Sequence, residues 1–214
     1  PERGASAATN VEATTVIDRD MSEVAGMFDP VTQKRECLPS ALVAISEWGD
    51  DRPFADQVSE HRAKLFEEFD HVDTDAATAL AKSYVYFGFG VEARAVLTLI
   101  SEPDQQTDAM LAMADLLDDQ PADQGSLLAG QTGCSSGPAF WAALARRASG
   151  AEINSDAVLQ GFSDLPRHLR RQLGPRLSRQ LNSLGQTELA GDILRAVERS
   201  TDTIGPSHDL AAAE

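Results

Sequence analysis

The stretch Leu80-Ala81-Lys82-Ser83-Tyr84-Val85-Tyr86-Phe87-Gly88-Phe89-Gly90-Val91-Glu92-Ala93-Arg94-Ala95-Val96-Leu97 decides the fold class. Leu80, Ala81 and Tyr84 fall at helical spacing, two glycines break the pattern, and Ala93 and Leu97 resume it. Small residues at 81 and 93 let two helices approach closely, while Leu and Tyr fill the groove toward a neighbouring pair. Glycine supplies the left-handed turn that reverses the chain. The same spacing returns in Leu177-Ser178-x-x-Leu181-x-x-x-Gly185-x-x-x-x-Ala190-x-x-x-Leu194. Trp141-x-x-Leu144-Ala145-x-x-Ala148 supplies the first helix of a further copy, with Ala157 as the small residue of its second. All of these positions read as core.

Outward from these copies the pattern is helix, short break, helix. Leu38, Ala41, Leu42, Ile45 and Trp48 predict a helix ending at Gly49-Asp50-Asp51. Pro53 suits the first turn of a second helix, with Phe54, Val58, Leu65 and Phe69 as its apolar face. Asp73 or Thr74 caps a third, through Tyr86, and Val91 to Ile100 forms a fourth. Later helices are expected over 107–118, 123–129, 138–149, 154–164, 167–173, 175–184 and 186–199, with breaks at Gly150, Gly174 and Gly185. No segment shows strand alternation with hairpin turns. Residues 1–35 read as a polar, irregular arm, 36–200 as the helical domain, and 201–214 as a tail or a further helix starting near Pro206-Ser207-His208-Asp209. These ends suggest a piece of a longer array, or the mature end left by processing.

Residues 37–200 resemble a tetratricopeptide array, whose repeat spans about 34 residues, although degenerate hairpins of another family would share the all-α class. The resemblance departs at Phe54, where Ala is expected, over the short and irregular stretch 105–130, and at Pro175. It implies an all-α fold of antiparallel helical hairpins stacked as a right-handed superhelix, with first helices lining a concave face. In that register Lys82, Arg146 and Arg179 share one groove-facing position, and Thr78, Tyr86 and Asn182 join them. Three cations in a line suit an acidic peptide or a C-terminal carboxylate, and solvated charges balancing nearby acids are the alternative. A second basic cluster, Arg167, His168, Arg170, Arg171, Arg176 and Arg179, reads as salt bridging to a neighbouring repeat or as a patch for an acidic partner.

Composition limits the function classes. The 214 residues are 42% hydrophobic but 6% aromatic, a balance that favours packed helix over strand. Lys plus Arg is 18 against 34 for Asp plus Glu, a net charge of −16, which argues against nucleic acid and anionic lipid as partners. No apolar run approaches the roughly 18 residues that span a bilayer. His61, His71, His168 and His208 have no metal-ligand spacing, and no phosphate-cradling or hydrolase motif is present, so no cofactor is expected. Gln131-Thr-Gly-Cys134 at a helix start faintly resembles the surroundings of a papain-type nucleophile, yet a thiol needs an acid–base partner that the chain does not supply nearby. Cys37 and Cys134 are read equally as a disulfide or as free thiols, because three repeats would separate them in an extended array. The expected function is a non-enzymatic scaffold holding a protein or peptide partner. A structural spacer and a hydrolase centred on Cys134 are the alternatives. A bacterial extracytoplasmic setting, such as the periplasm, and a cytoplasmic one are both compatible with the sequence.

Overall fold

A computed structural model describes residues 36–120, 126–145 and 152–201, and among them the fold is all-α. Eight α-helices occur: α1 (Phe54–Arg62), α2 (Thr74–Phe87), α3 (Gly90–Leu97), α4 (Gln105–Leu117), α5 (Pro138–Leu144), α6 (Ser155–Ser163), α7 (Arg167–Ser183) and α8 (Thr187–Thr201). The only extended pairing among the described residues is a single bridge between Phe66 and Val72. The arm 1–35, Arg146, Ala148, Gly150, His208 and the tail after Thr201, for which the sequence carries expectations, lie outside the described residues.

Local chemistry sets the helix ends. The Asp73 carboxylate accepts from the Asp75 and Ala76 amides at 2.9 and 3.0 Å and starts α2. Asp104 accepts from the Thr107 amide to start α4, and Asn154 accepts from Ala157 to start α6. Gly88 ends α2 at φ +85°, with Phe89 N–H donating to Tyr84 O and Gly88 N–H to Val85 O. Gly185 ends α7 the same way at φ +76°, with Gln186 donating to Leu181 O and Gly185 to Asn182 O. Both are the paired-bond turn that glycine makes possible, so the glycines of the two copies do the same job.

The core runs between the packed helices. Leu80, Ala81, Tyr84, Ala93 and Leu97 are all buried, as are Leu177, Ser178, Leu181, Ala190, Trp141 and Leu144. Helices α2 and α3 pack together, α3 and α2 both pack on α4, and α5 to α8 form a second group in which α5 meets α7 and α6 meets α8. Helix α2 also meets α7 directly, through the Tyr86 and His168 rings 5.4 Å apart and a His168 Nε2–H bond to Tyr86 O at 2.6 Å. Elements so far apart in sequence do not touch in an extended array.

Several expectations are corrected. Residues 38–48 form two short 3-10 turns, Ser40–Val43 and Ile45–Glu47, and no α-helix. Val43 and Ile45, two residues apart, are both buried at 8% and 2% exposure; one α-helix cannot turn positions i and i+2 to the same side, and the break at Ala44 (ψ 60°) does so. Helix α1 stops at Arg62; Leu65 stays in the core, but Phe69 is 99% exposed at φ +63°. Residues 126–130 form turns where a helix was expected. The predicted break at Gly174 is absent, and α7 runs through Gly174-Pro175. Gly174 is kept for packing: a Cβ there would sit 2.3 Å from Val197 Cγ2 and 3.2 Å from Phe162 Cζ. Leu194 is 42% exposed, and its neighbour Ile193 takes the buried position. The second copy is therefore out of register by one residue at its end.

Candidate functional site

The segment 36–48 crosses the helices and is fastened by residues far away in sequence. Gln131, 1% exposed, accepts from the Leu38 amide at 2.9 Å and donates from Nε2 to Glu36 O at 3.2 Å. Its amide thus pairs with the passing backbone as a neighbouring strand would. Three residues on, Cys134 is bonded to Cys37, with Cα atoms 5.7 Å apart across a sequence separation of 97. The Ser40 hydroxyl oxygen accepts from Gly137 N–H at 2.9 Å, and Gln106 Nε2 donates to Leu42 O at 3.0 Å. Leu42 O, which an α-helix would satisfy internally, takes a tertiary donor instead, and the bonds at Leu38 and Ser40 fix the start of the segment along this path. At its far end Trp48 carries Lys82 Nζ 5.6 Å above its ring, and Gly49 lies so close to the Tyr86 ring that a Cβ would overlap it.

Between this segment and α6 lies an open cleft of about 960 Å³. Residues 40–47 form one wall, Ser135 to Gly137 the end, and α6 with its cap the other wall, over a floor that includes Trp141 and Leu165. Glu47, Asp156 and Asp164 line it, and among the described residues no Lys, Arg or His does. None of the three carboxylates is ion-paired among the described residues; Asp164 accepts one bond, from Gln160 Nε2 at 2.7 Å. Ser136 Oγ, shielded from solvent in the end wall, has no hydrogen-bond partner among the described residues, which is unusual for a buried hydroxyl. Ala41, Ala44, Ala157 and Gly161 keep the walls low. The cleft therefore offers negative charge above a short apolar floor.

The expected groove residues fall elsewhere. Thr78, Lys82 and Tyr86 share one face of α2 at successive turns, half-buried, with segment 45–49 against the last two. Arg179 and Asn182 sit exposed on α7, where Arg179 Nε donates to Pro175 O of its own helix at 3.3 Å. No hydrogen bond, ion pair or ring contact among the described residues joins the two groups. Of the basic cluster, Arg176 reaches across to α4, donating to Leu116 O and pairing with Asp119 at 3.4 Å. The papain-like reading of Cys134 does not hold, because its sulfur is bonded to Cys37 and buried. Gln131 beside it is an anchor for the 36–38 backbone.

Elsewhere, burial raises the Asp118 carboxyl above its usual range against the pull of Arg94, in a cluster where Arg94 Nη2 lies 2.6 Å from Asp115 Oδ1. This cluster joins α3 to α4 and is structural. Among the described residues no group of His, Cys, Asp and Glu is arranged to hold a metal ion, and no helix is long and apolar enough to cross a membrane. The fold class is thus all-α among the described residues. No family model, curated protein or solved structure matches the chain.

The sequence signal for the cleft was weak. Its walls come from segments more than ninety residues apart, joined at the Cys37–Cys134 separation of 97. Small and polar residues line it without periodicity. The two cysteines were the only pointer.

Proposed function

We propose that this chain is a protein-interaction module, a set of tetratricopeptide-like helical hairpins, and that the cleft between residues 40–47 and α6 takes a basic peptide segment from its partner. The observation that carries this is the lining: among the described residues, three carboxylates without an ion-pair partner and no cation. A Lys or Arg side chain satisfies such groups by charge-assisted bonds, while its alkyl stem lies on the Trp141 and Leu165 floor. An acidic partner along Lys82 and Arg179 is the weaker reading, because Lys82 is already engaged by Trp48. The Cys37–Cys134 bond supports an extracytoplasmic setting, since oxidising compartments preserve disulfides.

Calorimetric titration with an alternating Ala-Lys peptide, and with its Ala-Glu counterpart, tests the proposal. Binding of the first only is expected, weakening with added salt. Replacing both Asp156 and Asp164 by Asn should weaken it on the order of 10-fold, as two partly exposed ion pairs of about 0.7 kcal/mol each would. Equal heats for both peptides, or no effect of the double substitution, would remove the cleft as the site.

A further inference from the structure

We propose that the Cys37–Cys134 bond is a redox latch on the cleft: reduction frees segment 38–48 as a flap while the helices stay folded, and the cleft loses one wall. This rests on the reading of the cleft as the binding site. Both walls adjoin the bond. The 40–47 wall begins three residues after Cys37, and Ser135 directly follows Cys134. With the bond made, the segment is fixed at both ends, by the sulfur at 37 and by Trp48 and Gly49 on α2. With the bond broken, its only covalent link to the described helices is the chain at Gly49. What then holds it is the Leu38, Val43 and Ile45 side chains and the bonds from Gln131, Gln106 and Gly137, each a modest net contribution. The Gly137 amide at the start of α5 leans on Ser40, but α2, α4 and α6 are capped by Asp73, Asp104 and Asn154, and α2 and α7 end in glycine turns, all independent of the segment.

The bond is also open to attack from one side. Cys37 is exposed and Cys134 is buried. A dithiol reductant places its thiolate on the Cys37 sulfur, the S–S bond breaks, and Cys134 leaves as a thiolate that takes up a proton. The reductant's second thiol, losing its proton, then displaces Cys37 as a thiol. Two electrons pass from the dithiol, which becomes a disulfide, to the protein, which ends with two thiols.

Amide hydrogen exchange on the full chain, oxidised and then treated with dithiothreitol, reads the latch without any ligand. The Leu38, Leu42 and Gly137 amides, bonded now to Gln131, Pro39 and Ser40, should exchange on the order of 10-fold faster or more after reduction, with α7 and α8 unchanged. The Cys37→Ser, Cys134→Ser double variant should show the fast pattern without reductant. Unchanged protection of those amides would overturn the latch, and so would a loss of protection across all helices, which would make the bond a plain staple. Ala-Lys peptide titration of both forms separates the two proposals. Failure to bind the oxidised form refutes the cleft reading alone. Binding that is equal in both forms, with the flap seen to open, refutes control of the site.

Discussion

Gln131 gives the sharpest test of how the 36–48 segment is held. In Gln131→Ala the Leu38 amide, beside a buried side chain, loses its acceptor and Glu36 O loses its donor. An unsatisfied buried amide costs about 1–3 kcal/mol, and removing the packed methylene adds about 1 kcal/mol. Glu36 is exposed, so water replaces its bond at little cost. The sum is about 2–4 kcal/mol, on the order of a 10 °C fall in Tm for a chain of this length. Gln131→Glu separates the hydrogen bonds from the volume. Its carboxylate still accepts from Leu38 but faces Glu36 O with nothing to donate; its protonated form donates and accepts as the amide does. Burial raises the folded-state pKa of such a group, so the native pairing is fully present below the unfolded value of about 4.3 and is lost as pH rises through the raised one. Urea unfolding of the oxidised protein at pH 4 and pH 7 measures both points. A Gln131→Glu variant as stable as the parent at pH 7, or a Gln131→Ala loss under about 0.5 kcal/mol, the size of an ordinary surface change, would refute this account of the anchor.

Other expectations follow from the same structure. Gly174→Ala should destabilise by about 1–3 kcal/mol through overlap with Val197, and Val197→Ala in the same chain should recover part of it; a strictly additive double variant in thermal unfolding would contradict the contact. Asp104→Ala should cost about 1 kcal/mol by loss of the α4 cap, with Asp104→Asn nearly neutral at pH 7. Bonds from Thr107 hold the Asp104 carboxyl below its usual range, so its contribution is present above about pH 4 and is lost as the pH falls further; acid titration of the parent and Asp104→Asn proteins should diverge there.

The all-α class was legible because it rests on local signals. Leu80 to Leu97 carries its periodicity, its left-handed glycine and its core in one stretch, and all of it folds as its spacing predicts. The stretch 38–48 shows an equally good stripe, yet Gln131 and Gln106 bond its backbone and Gly137 bonds its Ser40 hydroxyl. Nothing in eleven residues announces partners so far along the chain. Gly174-Pro175 read as a break because both residues disfavour helix, while close packing against Val197 and Phe162 keeps α7 continuous. The groove was placed on α2 and α7 because helix register is readable; the cleft was not seen because its walls meet only through a long-range crosslink.

The cleft as the ligand surface is the central claim, and backbone amide chemical shifts during titration with the Ala-Lys peptide test it most directly. The account predicts shifts clustered at residues 40–47, 135–137 and 154–165, with Thr78, Lys82, Arg179 and Asn182 unmoved. Shifts at those α2 and α7 residues with an Ala-Glu peptide, and none in the cleft with Ala-Lys, would contradict it.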